Sequence, residues 1–282
     1  MSISRRNLLQ VTASGALLAG CAPGGEPAAG GHGPAASSAS TPASMPASMP
    51  GSSASPRSAS SAPATAEATP SASPGALPPL PPGLPDQIEH GPRDRPRVAL
   101  TFHGQGEPAQ ATALLAEAER AGARVTVLAV GSWLDTYPQL ARRVLDGGHE
   151  LGNHTQTHRN IGAMDVAAAT AEIEDCAQRL RRLTGSRGRW FRPSQARLTT
   201  ALVVRLARQA GYPHLLSYDV DPLDYTDPGA EQVRAATARQ VGNGSVISLH
   251  FGHPGTVAAL PGILDDLHRR GLRAVTTSEL LA

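Results

Sequence analysis

From residue 95 onward the chain alternates between short apolar, β-branched runs and longer stretches whose apolar positions fall three and four residues apart. A run without polar alternation, such as residues 97–102 (Arg-Val-Ala-Leu-Thr-Phe), suits a strand buried on both faces. Similar runs predict strands over 124–130, 150–153, 190–192, 215–219, 245–249 and 273–276. Helical spacing predicts helices over 108–121, 138–145, 166–183, 199–210, 231–241 and 257–270. The clearest is 166–183, where Val166, Ala169, Ile173, Cys176, Ala177, Leu180 and Leu183 form one apolar stripe and Gly185 follows as a stop.

Strands that alternate with helices imply an α/β fold with a mainly parallel sheet covered by helices. About seven such units suit an incomplete or distorted (β/α) barrel better than a complete eight-unit one. In such folds the strand C-termini open on one face, and sites lie there.

Upstream the pattern stops. Residues 22–94 are dominated by Ala, Ser, Pro and Gly. Such a segment buries too little apolar surface to offset the entropy of ordering its backbone, which predicts a disordered tether. Residues 95–282 then make a single domain of ordinary size. The formal net charge of +2, with arginines scattered over predicted helix surfaces, argues against nucleic-acid binding.

The first 21 residues read as a targeting segment. Ser4-Arg5-Arg6-Asn7-Leu8-Leu9 resembles a twin-arginine export signal, and the apolar stretch at 11–19 is too short to span a bilayer. Leu18-Ala19-Gly20-Cys21 resembles a lipobox, which predicts lipidation at Cys21, an anchor in the cytoplasmic membrane and an extracytoplasmic domain. The only other cysteine, Cys176, falls on a predicted apolar helix face and is expected to be a buried free thiol. With Cys21 lipidated, no intrachain disulfide forms.

Five of the ten histidines fall at three predicted strand ends: His103, His154, His158, His250 and His253. Two imidazoles four residues apart, His154 and His158, on a loop leaving a buried strand suit one divalent metal such as zinc.

Five motifs, in order, resemble those of the polysaccharide deacetylases (carbohydrate esterase family 4, the nodulation-protein-B homology domain). They are Thr101-Phe102-His103-Gly104-Gln105-Gly106, His154-Thr155-Gln156-Thr157-His158, Arg192-Pro193-Ser194-Gln195, Asp221-Pro222-Leu223-Asp224-Tyr225 and Ser248-Leu249-His250. The resemblance covers nearly all of residues 97–281. It implies a distorted (β/α) barrel of the deacetylase type and metal-assisted hydrolysis of an acetyl group from an N-acetylated sugar. It further implies that His154 and His158 are metal ligands, that His250 is the general acid, and that Arg192, held by Asp221, orients the base.

The opening motif departs from the family's Thr-Phe-Asp-Asp-Gly. His103 stands at the base position and Gly104 at the ligand position. Two arrangements are open: His103 as third metal ligand, or His103 as the base with the metal on His154 and His158 alone. Glu107 is a reserve carboxylate. An Arg192 beside His103 would disfavour its protonation and keep it fit for either role. Ser248 replaces the leucine that lines the family's acetate pocket. Phe102, Phe191 and Phe251 alternate away from the site, and His253 reads as a surface histidine.

The expected function is metal-dependent removal of an acyl group from a glycan or cell-wall polymer at the envelope. Two alternatives stand beside it: a catalytically impaired glycan-binding domain, and an amidohydrolase with a non-sugar substrate.

Overall fold

The structure, a computed structural model, describes residues 78–282. The targeting segment, Cys21 and most of the expected tether lie outside the described residues.

The central strand is β2 (Arg97–Gly104), preceded by the short β1 (Gln87–Ile88). There follow α1 (Pro108–Arg120), β3 (Thr126–Ala129), α2 (Gly131–Thr136), α3 (Gln139–Asp146) and β4 (Glu150–Asn153). The second half runs through α4 (Val166–Thr184), α5 (Ala201–Gln209), β5 (Leu215–Leu216), α6 (Ala230–Gln240) and β6 (Val246–His250). It closes with α7 (Pro254–Arg269), β7 (Arg273–Ala274) and α8 (Thr277–Leu281).

All named strand pairs are parallel, in the order β4-β3-β2-β6, with β7 also on β2 and β1 on β5. Single parallel bridges carry the ring onward, from Asn153 to Phe191, Phe191 to Leu215, and Val220 to Ile247 of β6. Since β6 pairs with β2, the ring closes as a distorted barrel.

The predicted strand at 190–192 is reduced to the bridge at Phe191. Pro193 follows at once, and proline lacks the N–H a ladder needs. Helices α2 and α8 were not predicted, being too short to show a period, although Thr276 and Glu279 form a capping box that is readable as Thr-x-x-Glu. Val166 departs from its predicted stripe and is 54% exposed in the first turn of α4, while Ala169, Ile173, Cys176, Ala177 and Leu180 are buried. The domain also begins earlier than residue 95. Ile88 is buried in a cluster with Trp190, Leu216 and Val246, and Leu80 and Leu84 pack against it.

Register decides what faces the barrel interior. Thr101 lies opposite Ser248 and His103 opposite His250. Alternation then turns the intervening Phe102 and Leu249 outward, into the core beneath α1 and α7. Phe102 and Phe251 stack there at 5.0 Å, and Phe191 packs against Tyr212 in a second cluster. The phenylalanines are core, as their alternation predicts. Cys176 is a buried free thiol, its pKa pushed up to about 12 by burial.

Candidate active site

The barrel's strand ends bring His103, His158 and His250 to the wall of one cleft of about 630 Å³, with His154 and Arg192 buried against His103 behind it. His103 ends β2 and His250 ends β6, and their rings lie 4.2 Å apart. The His154 ring sits 4.3 Å from that of His103 and 4.8 Å from that of His158. One ligand nitrogen from each of His103, His154 and His158 falls within 4.8 Å of the others.

The loop that carries His154 and His158 is held by side chains behind it. Asn153 accepts the Thr155 N–H at 2.8 Å and donates to the Ile173 carbonyl and the Tyr212 hydroxyl. Buried Glu172 of α4 accepts the N–H and hydroxyl of Thr157. These bonds hold Thr155 and His158 at φ 69° and 59°, the left-handed region that side-chained residues seldom adopt.

Tautomer follows from partners. His154 Nδ1 donates to the Arg192 carbonyl at 2.9 Å, so its Nε2 carries the lone pair. That Nε2 is buried with no hydrogen-bond partner, and so is Nδ1 of the half-buried His103. Two orphaned imidazole nitrogens beside a third histidine are what a divalent metal fits, since buried polar atoms otherwise find partners.

Burial pushes His103 and His154 well below the usual histidine range, helped by neighbouring imidazoles and by Arg192. Burial and His250 lower His158 as well. All three are therefore neutral near pH 7, the form that ligates. Arg192 does disfavour protonation of His103, as expected, but burial, His154 and His250 act more strongly.

The expected Arg192–Asp221 ion pair does not form. The fully buried guanidinium donates to the carbonyls of Leu216 and Ser217, to Thr101 Oγ1 at 2.9 Å and to His103 Nε2 at 3.3 Å, and it lies over the Tyr218 ring. Asp221 instead accepts the Leu223 N–H and lines the cleft. Its neighbour Asp224, 1% exposed, takes the structural role: one oxygen accepts His250 Nδ1–H, and the other accepts the His250 backbone N–H and the Thr256 hydroxyl. The signal was present, because both aspartates stand in the same motif. Choosing between them needed the turn at Leu223, whose left-handed φ of 57° separates them.

Two further expectations are corrected. Glu107 is exposed at the start of α1 and does not line the cleft, so it is no substitute carboxylate. His253 is not a plain surface residue, for it lines the cleft with Nδ1 on Asp227 at 2.9 Å. At Gly104 the space for a side chain is already filled. A Cβ there would meet Val127 Cγ1 at 2.9 Å, Ala129 Cα at 3.0 Å and Trp133 at 3.2 Å.

Comparison with known proteins agrees with this fold. The family described as Polysaccharide deacetylase matches residues 90–215. A peptidoglycan-N-acetylglucosamine deacetylase of Bacillus cereus is 31% identical over 194 residues, 67% of this chain and 90% of the relative. A chitooligosaccharide deacetylase of Sinorhizobium fredii is 30% identical over 198 residues, 62% of this chain and 87% of the relative. A carbohydrate esterase family 4 pseudoenzyme from Bacillus anthracis shares the fold, with a TM-score of 0.67, 21% identity, and coverage of 71% of this chain and 70% of that one.

Proposed function

Since the chain belongs to the polysaccharide deacetylase family, we propose that it is a metal-dependent hydrolase that removes an acetyl or similar acyl group from an amino sugar of a glycan or cell-wall polymer. The observation that carries this reading is the trio of converging imidazoles, with His103 Nδ1 and His154 Nε2 unpartnered, beside a His250 fixed by Asp224.

His154, His158 and His103 hold one divalent ion, zinc by the chemistry of an all-imidazole set. The ion supplies Lewis-acid activation of water and of the acyl carbonyl. The chain's own residues do the rest. His250, with Nδ1–H on Asp224, presents Nε2 to the cleft, where it would take up the proton given up by the attacking water and pass it to the leaving nitrogen as the C–O bond forms and the C–N bond breaks. Asp224 stabilises the imidazolium that makes this proton available. Arg192 fixes the His103 ring. Tyr225, 5.3 Å from His250, and Tyr218 wall the cleft where a sugar lies.

The opening motif is divergent at His103 and Gly104, and the absence of a carboxylate there favours a second reading. A catalytically impaired domain of this fold would bind glycans without cleaving them. Acetate release from a panel of N-acetylated oligosaccharides, with saturating zinc, separates the two. Release by the wild type supports the hydrolase. No release by the wild type and none gained by His103→Asp supports the binding domain.

The predicted targeting segment places this activity outside the cytoplasm. Lipidation at Cys21 and a tether over the part of residues 22–94 that precedes the packed segment would hold the domain (residues 95–282 by sequence, 78–282 with the packed segment) at the membrane surface within reach of wall polymer. Among the described residues no helix is long and apolar enough to cross a membrane.

A further inference from the structure

The His103 ring is bound through one nitrogen. Nε2 lies 3.0 Å from Ser248 Oγ and 3.3 Å from Arg192 Nη1, while Nδ1 has no partner. A guanidinium donates hydrogen bonds and cannot accept them. In the neutral ring, contact with Arg192 therefore makes Nε2 the bare nitrogen and puts the proton on Nδ1. That tautomer cannot ligate. Nε2 is shut in by Ser248 and Arg192, and Nδ1, the nitrogen left for an ion, carries hydrogen.

For Nδ1 to ligate, the ring proton must sit on Nε2. There it meets Arg192, which offers only hydrogens, and Ser248, whose hydroxyl both donates and accepts. Ser248 is 1% exposed, and among the described residues its Oγ has His103 as its only hydrogen-bond partner, so its hydrogen is free to turn. An apolar side chain at 248 would leave Nε2–H facing a cation alone. That is a buried donor without an acceptor, and it would bias the ring against ligation.

We propose that Ser248 is a positioning residue that lets His103 serve as the third metal ligand. Its hydroxyl donates to Nε2 in the metal-free ring and accepts from Nε2–H when Nδ1 is ligated. The exchange moves one proton between the two ring nitrogens through solvent. His103 stays neutral, Ser248 keeps its hydrogen, and Arg192 keeps its charge. Placement explains why position 248 does this. Ser248 is the residue opposite Thr101, and Thr101 holds the same Arg192 guanidinium.

This inference rests on the metal reading above and specifies how His103 joins it. The test uses the full-length chain with ¹⁵N-labelled histidine. In the metal-free protein His103 should show the Nδ1–H tautomer, and zinc should convert it to Nε2–H. Zinc affinity, read by competition with a chromogenic chelator, should fall about tenfold or more in Ser248→Ala, as for other residues that orient metal-bound histidines. Ser248→Thr, which keeps the hydroxyl, should restore it. Should Ser248→Ala fail to fold, Ser248→Cys replaces it, with a sulfur that accepts only weakly. An Nε2–H tautomer in the metal-free protein overturns the inference. So does zinc binding by Ser248→Ala equal to wild type, and in that case the metal reading stands. Absence of zinc binding by the wild type overturns both.

Discussion

The Asp224 carboxylate grips His250 twice, at ring Nδ1 (2.7 Å) and at the backbone N–H (2.8 Å). It therefore sets both the ring's tautomer and its place at the end of β6. Asp224→Asn keeps the size but removes the charge that stabilises an imidazolium. Turnover should fall about 10²-fold or more, the scale of a lost general acid, with zinc content unchanged. Asp221→Asn, which touches neither His250 nor Arg192, should cost far less. Equal losses in the two variants would refute the assignment.

His103 is tested by separating affinity from rate. His103→Ala should weaken zinc binding and turnover together if the ring is a ligand. A loss of rate alone, about 10²–10⁴-fold, would make it a base. Restoring a carboxylate is possible at one position only. His103→Asp fits a position that already holds a side chain. Gly104→Asp would drive a Cβ to 2.9 Å from Val127 Cγ1, against the β3 backbone and Trp133, and should destabilise the fold by about 1–3 kcal/mol as an overpacked core does. Denaturant midpoints of the two variants check this. A Gly104→Asp variant as stable as wild type would contradict the packing described here.

Much of this was readable in advance. The runs on 97–102 and 245–249 predict strands, and the stripe on 166–183 predicts α4, because burial imposes those periods directly. The five motifs place the histidines at strand ends. Contacts that depend on where a side chain swings were not readable. Asp224 rather than Asp221 holds a partner because of a left-handed Leu223, and Arg192 finds carbonyls and Thr101 in place of a carboxylate. Neither leaves a trace in composition or period.

Acid should destabilise the metal-free protein. His103, His154 and His158 all have folded-state pKa values below those of the unfolded chain, chiefly through burial. Between the two values the unfolded state holds more protons, so stability rises with pH across that window. It is fully present above about pH 6.5 and is lost as pH falls below it. Urea midpoints of chelator-treated protein should drop steadily from about pH 7 to about pH 5. Replacing His154 by Gln should shrink that slope. A midpoint that rises on acidification would contradict the burial of neutral rings.

Membrane attachment is expected to depend on one thiol. Cys21→Ser should move the protein from the membrane fraction to the soluble one without altering zinc content. A flexible segment of about 55 residues, from Cys21 to the packed segment that begins at residue 78, spans roughly 40 Å root-mean-square, enough to reach wall polymer from the membrane surface. Unchanged membrane association of Cys21→Ser would remove the anchor from the account.

The most direct test of the central claim is zinc stoichiometry, measured by elemental analysis after dialysis against limiting metal. Wild type should retain one zinc per chain. Because His154 Nε2 and the neighbouring His158 ring would hold that ion, the double variant His154→Ala/His158→Ala should retain almost none while its circular dichroism matches wild type. The same zinc content in a folded double variant, or no zinc in the wild type, would contradict the metal centre described here.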